Sequence, residues 1–379
     1  MQTLLIVVGV AVLGVVGFGV WLVTLPSDPE AATAAPAVDA TEAAALRAAL
    51  QAPKRERPLI VSVGINDATE TLDYVMPAGI LRRADVADVE LLATRPGPVR
   101  LFPALTVLPD ATLRDFDVRH PDGADYVLVP AMSHDDDPVA LEWIREQAAK
   151  GAIVIGVCAG AKVVGEAGLL DGRRATTHWY YLRELRKRHP TIQYVPDRRI
   201  VVDGSVATTT GITASMPLAL TLIEAIAGSA KARAVAADLG IDRWDVRHDS
   251  GQFKFTRSFA WTVLTNRLAF WRQERIGLAL RPGLDEVSLA LVADAWSRTS
   301  RSRAVTIGDG AEVAITSRGI RIVPDVQDVG LSSTSLPSSR TDLRPEAALD
   351  ETLRDISRRY GANTARVVTM QMEYPVGPN

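Results

Sequence analysis

Hydrophobic and polar positions divide the chain into stretches of different character. From Met1 to Leu25 no side chain is charged, and LLIVVGVAVLGVVGFGVWLVTL supplies roughly 20 apolar residues, enough to cross a bilayer as a helix. Trp21 near its end suits the membrane–water interface. This predicts one transmembrane helix or signal anchor over residues 1–25. A cleaved signal peptide is the alternative. Its apolar region is normally shorter and preceded by Lys or Arg, but the A-x-A-like AATAAPA keeps cleavage open. No basic residue precedes the segment and Asp28 and Glu30 follow it, so a membrane location with the soluble part outside the cytoplasm is expected. Residues 26–57, rich in Ala, Pro and Thr, read as a linker with a short helix from Glu42 to Leu50.

From Pro58 the pattern alternates between short apolar runs and amphipathic stretches. PLIVSVGI (58–65), DVELLAT, ADYVLVPA (124–131) and AIVIGV are buried-strand signals, β-branched and bounded by turn residues. ETLDYVMPAGILRRADV has near-3.6 apolar spacing. VALEWIREQAAK reads as a helix, with Asp137 able to accept from free N–H groups, Pro138 at the first turn and Lys150-Gly151 closing it. Continuous apolar strands alternating with helices predict an α/β fold, a parallel sheet sandwiched by helices, over residues 58–229.

After Gly228 the pattern changes. DVRHDSGQFKFTRSFAWTVLTNRLAFW is aromatic and basic, and is read as a packed amphipathic helix rather than a nucleic-acid stripe. AVTIGDGAEVAITSRGIRIVPD (304–325) then echoes VELLATRPGPVRLFPALTVLPD (89–110), and GLDEVSLALVADAW before it parallels the first helix. Residues 230–379 therefore read as a degenerate second half-unit without a nucleophile, ending in the amphipathic helix EAALDETLRDISRRYG after the loop GLSSTSLPSSRTD. An incomplete sheet needs cover, which predicts an intrachain pseudo-dimer or a homodimer.

Charge and composition narrow the functions. The 379 residues carry a net charge of −3, which gives no electrostatic case for a nucleic-acid partner. One cysteine excludes an intrachain disulfide and a cysteine-based zinc site. The five histidines show no metal-binding spacing, so neither a metal nor another cofactor is expected. The single cysteine, Cys158, sits in Gly156-Val157-Cys158-Ala159-Gly160, between an apolar strand and a helix. Flanking glycines allow a sharp strand–turn–helix elbow that raises the side chain above the strand end. The N-terminus of the following helix favours thiolate, so a lowered thiol pKa is expected.

VIGVCAGAKVVGEAGLLDGRRATTHW followed by RIVVDGSVATTTGITASMPLALTLIEAIAG resembles the ThiJ/PfpI superfamily. That superfamily has the class I glutamine amidotransferase-like, flavodoxin-like fold. The variant is similar to the amidase-like domains of AraC-type regulators and to isonitrile hydratases. The resemblance covers about Pro58 to Gly228. It places the nucleophile at Cys158, the characteristic acid at Asp73 (with Glu70 the less favoured substitute) and a site histidine at His178 after Thr176-Thr177. Thr177, Gly160, Gly211 and Thr213 then fall near the pocket. Where many relatives have Gly-Gly, this chain has Ala131-Met132; their N–H groups, with that of Ala159, are the candidate oxyanion donors.

Two functions follow from the resemblance. One is a cysteine-dependent hydrolase or hydratase acting on a small amide, carbonyl or isonitrile-like substrate. The other is a module of the same fold that senses a ligand or oxidant without turnover.

Overall fold

The computed structural model describes residues 17, 19–28, 35–327, 334–335 and 340–375. Most of the expected membrane segment and most of the 330–342 loop therefore lie outside the described residues. Residues 19–24 are helical (α1), and the linker helix is α2 (Ala40–Ala49). The first unit runs β1 (Leu59–Gly64), β2 (Asp67–Glu70), α3 (Thr71–Ala84), β3 (Asp88–Ala93), β4 (Val99–Phe102), β5 (Thr106–Leu108), β6 (Ala111–Thr112), α4 (Leu113–Arg119) and β7 (Tyr126–Val129). It continues through α5 (Pro138–Ala149), β8 (Ile153–Gly156), α6 (Gly160–Glu166), β9 (Arg174–Ala175), α7 (Leu182–Arg188), β10 (Gln193–Tyr194), β11 (Ile200–Asp203), β12 (Val206–Thr209) and α8 (Ser215–Leu239).

The main sheet has the order β11-β12-β8-β7-β1-β3-β6. All its pairings are parallel except β11 with β12. Parallel strands need both faces covered, and the side chains of β1 divide accordingly. Ile60 joins α3 and α8 in one core, while Val61 and Val63 join α4, α5 and α6 in the other. The α5 boundary follows its sequence signals, the Asp137 carboxylate accepting from Val139 and Ala140 N–H. In α8 the backbone breaks at Gly228 (φ 84°), where the apolar covering helix ends and a more polar segment begins.

The C-terminal region adds α9 (Arg257–Leu268), β13 (Glu274–Ala279), α10 (Glu286–Ser297), β14 (Ser302–Gly308), β15 (Ala314–Ile315), β16 (Arg321–Ile322), β17 (Val326–Gln327), β18 (Thr334–Ser335), α11 (Pro345–Tyr360) and α12 (Ala362–Met372). Its sheet, β17-β14-β13-β18, is parallel, and β13 and β14 enclose α10 as β1 and β3 enclose α3. β16 pairs antiparallel with β5, so one sheet, β15-β16-β5-β4-β2, runs through both regions. The likeness extends to side chains at one constant sequence offset. Asp110 accepts from Leu91 N–H, and Asp325 accepts from Thr306 N–H. Glu70 caps α3 through Asp73 N–H, and Asp285 caps α10 through Ser288 N–H. The helices cross-link reciprocally: Arg298 meets Glu70, and Arg83 meets Asp285.

Candidate active site around Cys158

β8 ends at Gly156, and the chain turns through Val157, Cys158 and Ala159 into α6. Cys158 has φ 57°, a left-handed conformation that costs an ordinary side chain about 1–2 kcal/mol. Its surroundings hold it there. Cys158 N–H donates to Thr209 Oγ1 (3.0 Å), and Cys158 C=O accepts from Thr177 Oγ1 (3.0 Å). Thr177 therefore braces the elbow. Gly160 is required by close approach: a Cβ there would stand 1.9 Å from the Val129 carbonyl oxygen. Gly160→Ala should lower stability by at least about 1–3 kcal/mol, because backbone must shift to admit it. Denaturant midpoints of the two forms measure this.

α3 brings Asp73 to the elbow, fully buried. Its Oδ2 accepts from Ala131 N–H (3.1 Å), while Oδ1 has no hydrogen-bond partner among the described residues. Burial pushes the Asp73 carboxyl up to about 7, against the opposing effects of the Ala131 N–H and the Arg298 charge. One turn earlier Glu70 Oε1 lies 2.6 Å from Arg298, and Glu70 Oε2 accepts from Asp73 N–H. Burial and the neighbouring Asp73 and Asp294 carboxyls push Glu70 up as well. Arg298 also binds Asp294 through Nε (2.5 Å). One buried guanidinium thus faces three buried carboxyls beside a thiol, and this excess of acids keeps protons in the cluster at neutral pH.

The expected lowering of the Cys158 pKa is reversed. The side chain is 3 % exposed. Burial, then the charges of Asp73, Glu70 and Glu373, push the thiol well above its usual value, outweighing the favourable Ala159 N–H. His178 is corrected too. Its Nδ1 accepts from Tyr180 N–H (3.1 Å), which leaves Nε2–H to donate to Gln371 C=O (2.9 Å). Burial keeps the ring neutral, and with both nitrogens engaged it offers no base to the sulfur. Ala131 is likewise no oxyanion donor, because its N–H serves Asp73 and its C=O accepts from Glu70 N–H. Met132, partly exposed, bridges to Thr69 beside it. Ala159 N–H faces the sulfur from the helix start.

Gly211 enters the site through Glu373, which follows α12. Glu373 Oε2 accepts from Gly211 N–H (2.5 Å) and Oε1 from Trp179 N–H (2.7 Å), while its C=O accepts from Thr213 Oγ1 (2.8 Å). A Cβ on Gly211 would lie 2.4 Å from Glu373 Cβ, so glycine is what lets this carboxylate close over the loop. Arg298, Glu373 and Gln371 were not among the residues expected from the sequence. For Arg298 a signal existed, since it caps the end of α10 at the sequence offset that Arg83 holds in α3; none pointed to Glu373.

A model of the DJ-1/PfpI family matches residues 60–225. An isonitrile hydratase of Pseudomonas putida is 37% identical over 175 residues, 45% of this chain and 73% of that protein. The HTH-type transcriptional regulator CdhR of Pseudomonas aeruginosa is 35% identical over 112 residues, 30% of this chain and 33% of the regulator. The chain thus spans about a third of the regulator's length. Among solved structures, a THiJ/PfpI family protein from Pseudomonas syringae aligns with 21% identity and a TM-score of 0.46, over 56% of this chain and 86% of that one.

Proposed function

Because the chain belongs to the DJ-1/PfpI family, we propose that Cys158 and Asp73 form a proton-sharing pair that hydrates a small neutral substrate of the isonitrile class. The observation that carries this reading is the Asp73 carboxyl: buried, held by one N–H, with its second oxygen unpartnered and its pKa raised to about 7. Such a carboxyl is poised to donate and recover a proton near neutral pH. Transfer of the thiol proton to Asp73 gives thiolate and neutral acid. The acid then protonates the terminal isonitrile carbon as the sulfur bonds to it. Water, giving a proton back to Asp73, replaces the sulfur at that carbon, and the released sulfur recovers the proton. The product leaves as R–N=CH–OH, whose hydroxyl proton moves to nitrogen, so the net change is addition of one water to give an N-substituted formamide. The identity to an isonitrile hydratase supports this substrate class.

On this reading the C-terminal region is a degenerate second unit, supported by the constant offset and the reciprocal arginine pairs. It completes the site in cis. The uncharged residues 1–25 anchor the chain in a membrane, supported by their length and composition. A second reading, a ligand- or oxidant-sensing module, is favoured by one observation: Cys158 is 3 % exposed, too little for ready access of a substrate to the sulfur.

Purified full chain incubated with cyclohexyl isocyanide should accumulate the formamide, and Cys158→Ala should not. Formation by neither protein, with Cys158 of the native chain oxidised by dilute peroxide, would select the sensing reading.

A further inference from the structure

α9 buries one face and leaves the other bare. Phe259 packs with Val367 and Met370 of α12. On the opposite side Arg257, Trp261 and Leu268 recur at helical spacing and are exposed, Trp261 by 53 % and Leu268 by 57 %. The turn that follows presents Phe270 and Trp271, each 69 % exposed and packed edge to face on one another. Four large apolar side chains so close in sequence are more than the scattered exposure normal for a surface.

Two further observations identify what covers them. The first is charge. Residues 251–275 carry Lys254, Arg257, Arg267, Arg272 and Arg275 against the single acid Glu274, in a chain that is acidic overall. Lys254, Arg267, Arg272 and Arg275 are exposed and have no ion pair among the described residues, whereas Glu274 is paired with Arg359. The second is chain path. Arg257 N–H donates to Pro26 C=O, and Arg257 Nε donates to Leu25 C=O (2.7 Å). Ser258 binds Asp28, and Trp21 of α1 lies 6.1 Å from Phe255. The uncharged N-terminal stretch thus leaves the body of the protein at the first turn of α9, where the bare stripe begins.

We infer that the outer face of α9 and the Phe270-Trp271 turn form a lipid-contact surface that lays the protein on an anionic bilayer. Aromatic rings at headgroup depth with flanking arginines on the phosphates are the chemistry of an interfacial helix. The inference rests on the anchor proposed above, which would hold this face at the membrane.

The test uses the full chain, in a Cys158→Ala background, with an environment-sensitive fluorophore at Trp271→Cys or, as control, at Val118→Cys on exposed α4. It is reconstituted in phosphatidylcholine vesicles with or without phosphatidylglycerol, and parallel samples are extracted with alkaline carbonate. The expected result is a blue shift and at least twofold stronger quenching by headgroup-depth nitroxide lipids at position 271 than at 118, larger with phosphatidylglycerol. Carbonate resistance with equal quenching at both positions overturns the inference and leaves the anchor standing. Carbonate release with selective quenching at 271 removes the anchor and keeps the surface. Carbonate release without quenching overturns both. A blue shift at 271 that is the same in detergent without lipid shows cover by protein, a second copy or the N-terminal segment, and also overturns the inference.

Discussion

Asp73→Asn should slow Cys158-dependent turnover by about 10²–10⁴-fold, the range of a lost general acid, and should at the same time stabilise the fold at neutral pH. The rate follows from the proton. Asparagine still accepts from Ala131 N–H but has no acidic proton for the unpartnered position. In the native chain Asp73 must start as the carboxylate to take the thiol proton, so kcat/KM should rise as pH rises through about 7. That limb should vanish in the variant; its persistence would assign the titration to another group. The stability effect follows from the same shift. A carboxyl whose folded pKa is raised contributes fully below its unfolded pKa, and that contribution is lost as pH rises from about 4 to about 7. Above pH 7 the native chain carries the whole burial penalty of the charged carboxylate, on the order of a few kcal/mol, and asparagine carries none. Thermal melts at pH 4 and pH 8 check the sign: little difference at the lower pH, a higher Tm for the variant at the upper.

The parts of this site that a sequence can reveal are those specified locally. The elbow was legible because Gly156 and Gly160 bracket Cys158 between an apolar strand and a helix, and a strand meeting a helix so closely needs small residues. The parallel sheet was legible in its β-branched runs. What failed depends on residues far apart in sequence. The sign of the Cys158 shift was missed because a helix N-terminus is visible in sequence, whereas the convergence of Glu70, Asp73 and Glu373 on one buried thiol is not. His178 lost its expected role to Gln371, which arrives from the last helix. Ala131 stands where the family resemblance set it, but its N–H serves Asp73. Of the aromatic-basic segment read as a packed helix, only Arg257–Leu268 is α-helical, and periodicity alone did not show that its second face stays bare.

Arg298→Met should have the largest effect on stability, a loss of about 3–5 kcal/mol at pH 8, because it strands buried acids without their counter-ion. Among the described residues Arg298 is the one buried cation contacting both Glu70 and Asp294. Burial opposes its charge, but Asp294 and Glu70 outweigh that and hold it protonated. Methionine fills much of the volume, so the loss is electrostatic rather than a cavity. With the guanidinium gone, Glu70 and Asp73 lie still further above their unfolded pKa values, and the penalty is present at pH values above them. The defect should therefore shrink as pH falls toward 4, where Glu70 and Asp73 are neutral in the folded chain and no longer need the guanidinium. The reciprocal pair supplies the control. Arg83 meets Asp285, whose side chain is 21% exposed, and Asp238, 56% exposed. Water can rescue those partners, so Arg83→Met should cost less, and with weaker pH dependence. Denaturant midpoints of both variants at pH 5 and pH 8 decide the matter. Equal losses at both positions, independent of pH, would mean that the two arginines serve only to join α3 and α10. A larger, pH-dependent loss at Arg298 would mean that the second region supplies the charge that lets a buried cysteine and its acid share protons.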